Sequence, residues 1–323
     1  MTHPTTAKLK ARLRIPVIGA PLFIISNPDL VIAQCRAGII GSFPSLNARP
    51  LPQFEEWLER LSTELTEADA PYAVNLIVHK SNDRLLADLE LCVKYRVPVI
   101  ITSLGAREDV NAAIHSYGGV VLHDVINDRF ARKAIEKGAD GLIPVAAGAG
   151  GHAGTLSPFA LVQEIREWFD GPVALSGAIA TGAAVLAAEA MGADFGYIGS
   201  AFIATKEARA DERYKEMIVD CRAEDIVYSD LFTGVWGNYL KPSIRNAGLD
   251  PDNLPRGDIS TMNFGSGGNT EAKAWKDIWG CGQGIGAVKA VVPAGELVDR
   301  LAREYAEARA RLLGQEPVAL AAE

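Results

Sequence analysis

The sequence lacks the features that mark several classes of protein. It has four cysteines, with no C-x-x-C pair and no histidine at metal-ligand spacing: Cys35, Cys92, Cys221 and Cys281. Neither a disulfide framework nor a zinc site is indicated, so we expect buried, unreactive thiols and no metal. A G-x-S-x-G motif is also absent, which leaves covalent hydrolase chemistry without support.

Positive charge and long apolar runs are scarce as well. The formal net charge is −8 at pH 7, so no electrostatic field attracts nucleic acid or an anionic membrane surface. No window approaches the length of a membrane span, and the basic N-terminus lacks the apolar core of a secretory signal. We therefore expect a cytoplasmic protein with no nucleic-acid partner and no membrane partner.

What the sequence does contain is a series of short apolar runs, each bounded by Gly, Pro or Asp and followed by a stretch with helical periodicity. The chain has 323 residues, 48% of them hydrophobic, and the runs cover 16–21, 37–43, 72–78, 97–103, 118–124, 139–146, 171–177 and 194–202. Such runs are typical of parallel strands buried on both faces. Eight of them alternating with helices predict an α/β fold, a (β/α)₈ TIM barrel, rather than a doubly wound sheet.

The pattern changes after the eighth run. Residues 205–292 are first helical, then loop-rich and aromatic, then rich in Gly and Asn, without clear strands. A stretch of this length is more often a functional lid than a linker. We therefore predict a barrel made of residues 1–204 and 293–323, completed by an amphipathic outer helix at 294–313. The insertion after strand eight, 205–292, is predicted to be a helical and loop-rich substrate lid.

The working residues of such a barrel follow the carboxyl ends of its strands. Ser176, Gly177 and Ala178 follow the seventh run, and Gly199 and Ser200 follow the eighth. Loops at these places bind a phosphate in many barrels through N–H groups and hydroxyls, although small residues also serve tight turns. Because no carboxylate cluster or basic stripe accompanies them, we favour a cofactor with one phosphate over phosphoryl-transfer chemistry.

Asn75 and His152 are the leading polar candidates. Asn75 interrupts the apolar run "YAVNLIV"; a buried amide needs a partner, either a heteroaromatic edge or a neighbouring strand end. His152 lies in "GAGGHAGT" after the sixth run, where glycines give it little cover, and its ordinary pKa suits proton abstraction near neutral pH. His123 ends the fifth run and is a further candidate for a cofactor contact.

Six segments taken together resemble the nitronate monooxygenase family, formerly called 2-nitropropane dioxygenases. In chain order they are "PVIGAPLFIISNPDL", "VNL", "AGGHAG", "SGAIATG", "YIGSAF" and "WGCGQGIGAV". The resemblance implies an FMN-containing barrel whose flavin phosphate is held after strands seven and eight, with His152 as the catalytic base. It implies cofactor contacts at Pro21, Asn75, Gly150, Gly151, Ser176, Gly177, Ala178, Gly199, Ser200 and Gln283. The sequence departs from the family at Val145, Gly148 and Gly280, where relatives often carry Gln, Glu and, in some cases, Ser.

The resemblance also implies an activity. Alkyl nitronates would be oxidised with O₂ to carbonyl compounds and nitrite, and neutral nitroalkanes would first lose a proton to His152. The alternative on the same barrel is an NAD(P)H-dependent flavin reductase of quinones or enoyl thioesters. From another class, a non-redox barrel that binds a phosphorylated metabolite is the alternative. The expected partners are a small-molecule substrate and O₂, and the chain is compatible with a homo-oligomer.

Four residues are candidates for substrate contacts. Phe23 follows the first run, and Trp236, Tyr239 and Lys241 lie in the aromatic part of the insertion. The aromatic rings offer apolar or stacking surface, and the lysine offers a cation for a nitronate or carboxylate. The aromatic residues of the insertion, Trp236 in particular, serve equally well as anchors that fasten it to the barrel.

Overall fold

The computed structural model describes residues 2–257 and 278–315. Residues 258–277 of the predicted lid and 316–323 of the predicted barrel lie outside the described residues. The strands are β1 (Val17–Gly19), β2 (Gly41–Pro44), β3 (Tyr72–Ile77), β4 (Val99–Ser103), β5 (Val120–Val125), β6 (Gly141–Pro144), β7 (Gly151–His152), β8 (Ala174–Ser176), β9 (Phe195–Ile198), β10 (Ile226–Ser229) and β11 (Gly237–Leu240). The helices are α1 (Pro4–Lys10), α2 (Pro28–Arg36), α3 (Leu51–Glu64), α4 (Leu85–Lys94), α5 (Glu108–His115), α6 (Asp128–Glu136), α7 (Pro158–Arg166), α8 (Gly182–Ala190), α9 (Ser200–Ile203), α10 (Glu212–Asp220), α11 (Lys241–Asn246) and α12 (Ala294–Leu312).

The eight apolar runs form a closed parallel barrel. Strands β2 to β6 pair in chain order, and a second sheet has the order β1-β9-β8. Two parallel bridges join the sheets: Ile18 pairs with Ile40, and Leu142 pairs with Val173. Since β7 is a two-residue strand in the loop after β6, the seventh and eighth strands of the barrel are β8 and β9. The predicted (β/α)₈ barrel is confirmed.

Alternation along each strand divides the core into an inner and an outer layer. Residues such as Ala73, Ile101, Leu122 and Phe195 pack together inside the barrel, while Val74, Ile100 and Val121 pack against the surrounding helices. Both faces of each strand are therefore apolar, which explains the unbroken hydrophobic runs. Each large side chain buried in this way contributes roughly 1.5–3 kcal/mol to folding.

Side-chain caps set the starts of three outer helices. Asn27 accepts hydrogen bonds from the N–H groups at the start of α2, Asn127 does so for α6, and Thr181 for α8. Each satisfies an N–H group that the first turn of a helix leaves without a partner. Because these helices are the next ones in the chain after β1, β5 and β8, the caps also bound the loops at the carboxyl end of the barrel.

The C-terminal helix α12 packs on the barrel as the sequence predicts. Leu297, Val298 and Leu301 join the core formed by β1, β9 and α2. Gly182 at the start of α8 allows a close approach, because a Cβ there would lie 2.1 Å from the Leu301 carbonyl oxygen and 2.2 Å from the Tyr305 nitrogen. A residue with any side chain would force the two helices apart.

The segment after β9 is less irregular than the sequence indicates. The expectation of no clear strands is wrong, because β10 and β11 pair in antiparallel fashion, with Ile226 opposite Leu240 and Ser229 opposite Gly237. Each strand has four residues, too few for an alternation pattern to be read against the surrounding turn residues. The division into barrel and lid, and any movement of the lid, stay predictions.

The four cysteines of the chain lie in its interior. Cys35, Cys92, Cys221 and Cys281 are all free and buried, and burial raises the pKa of the Cys35 thiol to about 12, which confirms the expectation of unreactive thiols. Within residues 2–257 and 278–315, no group of three or more His, Cys, Asp or Glu side chains is placed to hold a metal ion. In the same ranges, every helix is too short or too polar to cross a membrane.

Candidate active site

The insertion strand β11 holds the loop that carries His152. Gly237 pairs with His152 and Asn238 pairs with Gly151 in the antiparallel ladder between β11 and β7. The Asn238 amide nitrogen also donates to the Ala149 carbonyl oxygen at 2.6 Å. The His152 loop is therefore part of a sheet with the insertion, and its position depends on residues more than 80 positions later in the chain.

His152 is half-buried and held by a threonine. Its Nε2 lies 3.0 Å from Thr233 Oγ1, and that hydroxyl donates to the Val235 carbonyl oxygen at 2.9 Å. Since a carbonyl can only accept, the hydroxyl proton is already used and Nε2 is the donor to Thr233. The lone pair of the neutral ring then resides on Nδ1.

Burial also sets the charge of His152. Desolvation lowers its pKa to about 4, below the ordinary value assumed from the sequence. The ring is therefore neutral at physiological pH, as a proton acceptor must be. Because burial disfavours the imidazolium, a proton taken up by this ring needs an anion beside it to stabilise the charged form.

Thr233 is a functional candidate that sequence reasoning missed. It is 9% exposed and separated from His152 by 81 positions. The only local signal was the polar pair of Thr233 and Gly234 in an aromatic stretch, which is also an ordinary turn sequence. The contact exists because β11 folds back on the His152 loop, and this pairing is not visible in the sequence.

Asn75 takes part in a directed chain of hydrogen bonds at the carboxyl end of the barrel interior. Its amide nitrogen donates to the Ile101 carbonyl oxygen at 3.1 Å and to Ser103 Oγ at 2.8 Å, and Ser103 donates to Asp124 Oδ2 at 2.5 Å. The expected tie to a neighbouring strand is therefore confirmed, and a contact of this amide with a cofactor stays a prediction. Both N–H groups tie β3 to β4, and only the Asn75 oxygen is left to accept from a ligand.

The loops after β8 and β9 fit the phosphate end of the FMN that the resemblance implies. The N–H groups of Gly177 and Gly199 donate to no carbonyl oxygen of the described residues. Gly177 has φ +143°, and a Cβ there would lie 2.9 Å from the Ala147 carbonyl oxygen. Ala178 is held in the left-handed region at φ 56°, an unusual conformation for a residue with a side chain. Ser176 lies beside these groups and its hydroxyl makes no hydrogen bond to a described residue.

The C-terminal segment with Gln283 closes one side of these loops. The Gln283 N–H donates to the Gly148 carbonyl oxygen at 2.8 Å, and the Gly282 N–H donates to Ser200 Oγ at 2.7 Å. Gly150 is in contact with this segment, because a Cβ there would lie 2.6 Å from the Gly282 nitrogen. The lack of a side chain at Gly150 therefore allows close contact with the protein's own backbone. Gly151 differs, since a Cβ there would meet nothing within 4 Å, which leaves open space beside His152.

Gly148, one of the departures from the family pattern, leaves little room for a side chain. It has φ +85°, and a Cβ would lie 3.1 Å from Gln283 Oε1 and 3.3 Å from the Ala178 Cβ. A larger residue would therefore be strained and crowded at this turn. Val145, another departure, packs against the core inside the barrel, and Gly280 lies opposite Tyr239 in an isolated bridge.

Of the predicted substrate residues, Trp236 lies beside the His152 loop, because its carbonyl oxygen accepts from the Ala153 N–H at 3.2 Å. Phe23 is 41% exposed at the catalytic end, close to Pro21 in the loop after β1. Trp236 stacks on Tyr228 with ring centroids 4.9 Å apart, as an anchoring residue does. Lys241 Nζ lies 3.7 Å from Asp252 Oδ1, and the residue begins α11, four positions after Gly237, which pairs with His152.

Two expectations need correction. Tyr239 is 1% exposed and packs edge-to-face on Phe232 within a small core, so it offers no surface to a substrate. His123 lies on the outer face of β5, where its Nδ1 is 2.6 Å from Thr102 Oγ1. Because side chains alternate along a strand, it is turned away from the barrel interior and does not reach a cofactor there.

Known proteins resemble this chain in sequence and in fold. A sequence model of the nitronate monooxygenase family matches residues 43–304. A nitronate monooxygenase of Paraburkholderia phytofirmans is 26% identical, over 90% of this chain and 92% of the relative. The solved structure of a nitroalkane oxidase from Streptomyces ansochromogenes has a TM-score of 0.78 and 25% identity, over 94% of this chain and 99% of that one. FabK from Thermotoga maritima shares the fold, with a TM-score of 0.77, 23% identity, and coverage of 97% of this chain and 99% of that one.

The family model covers well over half of the chain, the curated relative aligns along nearly its whole length, and the barrel superimposes on a nitroalkane oxidase. The chain therefore belongs to the nitronate monooxygenase family and is an oxidoreductase of that family.

Proposed function

We propose that the chain uses FMN and O₂ to oxidise alkyl nitronates to carbonyl compounds and nitrite, and that it accepts neutral nitroalkanes after removing their α-proton. The family match over residues 43–304 supports the oxidation of nitronates. The observation that carries the use of neutral nitroalkanes is His152, a neutral base held by Thr233 next to the open space at Gly151. Bound FMN would accept electrons from the nitronate and pass them to O₂. The protein's own side chains and backbone would bind the cofactor and hold the α-proton of the substrate.

The described residues support distinct roles around that cofactor. The N–H groups of Gly177 and Gly199 and the hydroxyls of Ser176 and Ser200 would hold the phosphate. The Asn75 oxygen would accept a hydrogen bond from the ring system. His152 would hold the α-proton of a nitroalkane, and this role is needed only when the substrate arrives in its neutral form.

The reaction can be separated from flavin-reductase activity by spectroscopy. The protein is reconstituted with FMN and mixed anaerobically with ethyl nitronate, with NADH and with NADPH, and free FMN serves as the control. We expect the nitronate to bleach the visible absorbance of the bound flavin, and nitrite to appear once O₂ is admitted. Bleaching by a nicotinamide but not by the nitronate would replace this proposal with a reductase.

A further inference from the structure

An acid at the carboxyl end of the barrel interior takes no part in the proposed function as described so far. Asp124 lies near the end of β5, two residues after Leu122 of the inner core, and therefore faces inward. We propose that protonated Asp124 donates a hydrogen bond to bound FMN and that loss of this proton weakens flavin binding. The inference rests on the proposed function, because it requires the flavin to bind at this end of the barrel.

The direction of the hydrogen bonds determines which oxygen of Asp124 would donate. Asn75 can only donate through its amide nitrogen, so Ser103 Oγ accepts that bond and gives its own proton to Asp124 Oδ2. With Oδ2 accepting this bond, the proton of the neutral carboxyl group lies on Oδ1. Oδ1 is buried and has no hydrogen-bond partner among the described residues. A buried polar atom of this kind needs a partner, and a cofactor can supply one.

At the carboxyl end of the barrel interior, Asn75 and Asp124 would then offer the cofactor one hydrogen-bond acceptor and one donor. The Asn75 oxygen makes no hydrogen bond to a described residue and can accept, while Asp124 Oδ1 can donate when it is protonated. A heteroaromatic ring system with both N–H and carbonyl groups at one edge is complementary to such a pair. The same two side chains are joined through Ser103, so the pair is held rigidly.

The surroundings of Asp124 shift its protonation equilibrium toward the neutral carboxyl group. Burial raises the pKa of Asp124 to about 6, although the Ser103 hydrogen bond opposes the shift. Across the barrel, Tyr197 of β9 is the titratable group that faces it, and burial together with the Asp124 charge holds the pKa of Tyr197 well above its ordinary value. Among the described residues, no lysine or arginine contributes to the pKa of Asp124. His152 does not interfere near neutral pH, since its pKa is about 4.

The test measures FMN affinity by quenching of flavin fluorescence near pH 5 and near pH 8. Wild-type protein should bind roughly tenfold or more weakly at the higher pH. Asp124→Asn keeps an N–H donor at both pH values and should lose most of that difference. Asp170→Asn, at an exposed position, is the matched control and should behave as wild type. Repeating the titration with riboflavin removes the ionisation of the phosphate itself, which also occurs near pH 6.

A second variant keeps the test independent of how well Asp124→Asn folds. Ser103→Ala removes the donor that stabilises the Asp124 carboxylate, so the midpoint of the pH dependence should move to higher pH. Equal pH dependence in wild type and Asp124→Asn, or an unchanged midpoint in Ser103→Ala, would overturn this inference and leave the flavin site standing. Failure of every variant and of wild type to bind FMN would overturn the proposed function and this inference together.

Discussion

At the scale of single residues, His152 is the group whose removal should separate two substrates. We expect His152→Asn to retain FMN and to lose roughly 100-fold or more of its activity on a neutral nitroalkane. Activity on the preformed nitronate should fall much less, because that substrate needs no proton abstraction. Steady-state oxygen uptake with nitroethane and with ethyl nitronate measures both, and His115→Asn, a histidine whose side chain is 39% exposed, is the control. Equal activity of His152→Asn and wild type on nitroethane would remove His152 from this role.

Thr233 should act through His152 as a positioning residue. Thr233→Val removes the hydroxyl that fixes the ring, and loss of one hydrogen bond of about 1 kcal/mol predicts a fall of about fivefold in kcat/KM for nitroethane. The nitronate should be unaffected, and Thr233→Ser should restore the activity. A loss that is equal for both substrates, or one that Ser does not rescue, would indicate a purely structural role.

Ionisation of Asp124 should also make the stability of the flavin-free protein depend on pH. Its pKa in the folded state is raised to about 6 from 3.8, so its contribution to stability is fully present below about pH 4 and is lost as the pH rises to about 6. Asp124→Asn does not ionise and should escape this loss. From about pH 4 to about pH 7, its stability relative to wild type should improve by at most about 3 kcal/mol. Urea unfolding at the two pH values measures this, and a constant difference would contradict it.

At the scale of elements, the contact between α8 and α12 depends on a single glycine. We expect Gly182→Ala to destabilise the protein by about 1–3 kcal/mol or more, because its Cβ would lie 2.1 Å from the Leu301 carbonyl oxygen. The matched control is Gly295→Ala near the start of α12, where a Cβ meets nothing within 4 Å, and which should stabilise by up to about 1 kcal/mol. Thermal unfolding of the two variants checks the contrast, and similar melting temperatures would contradict it.

The strands also show which elements a local sequence pattern can predict. The eight barrel strands were predictable because burial on both faces requires continuous apolar runs, and β3, β4 and β5 lie within or nearly within the predicted bounds. The strands β7, β10 and β11 were not predictable. Their pairing joins the His152 loop to residues 226–240, and a two-residue or four-residue strand has no periodicity that would indicate such a partner.

At the scale of the whole molecule, the predicted lid and the barrel share one core. Ile218, Leu240 and Trp279 from the later segment pack in the same cluster as Val17 of β1 and Ile198 of β9. Neither part can lose its packing without exposing apolar surface of the other. The structure therefore favours a single cooperative unit, with any opening confined to the parts of the segment outside this cluster.

This shared core predicts a single unfolding transition. Variants that retain only Trp57, in the cluster around β2 and β3, or only Trp279, in the cluster shared with the insertion, report on the two parts separately. Their fluorescence should give coincident urea midpoints and slopes. An earlier transition of Trp279 would show that the insertion unfolds independently, and far-UV circular dichroism serves as the common reference.

The sequence by itself determined the barrel and the position of His152 after its sixth strand. These follow from local requirements, because buried parallel strands must be apolar and tight turns beside a ligand require glycine. Tertiary structure alone decided the rest. It brought Thr233 to His152 across 81 positions, joined Asn75, Ser103 and Asp124 on three strands, and buried Tyr239 in a core. Such contacts depend on pairing between distant segments, and no local pattern records that pairing.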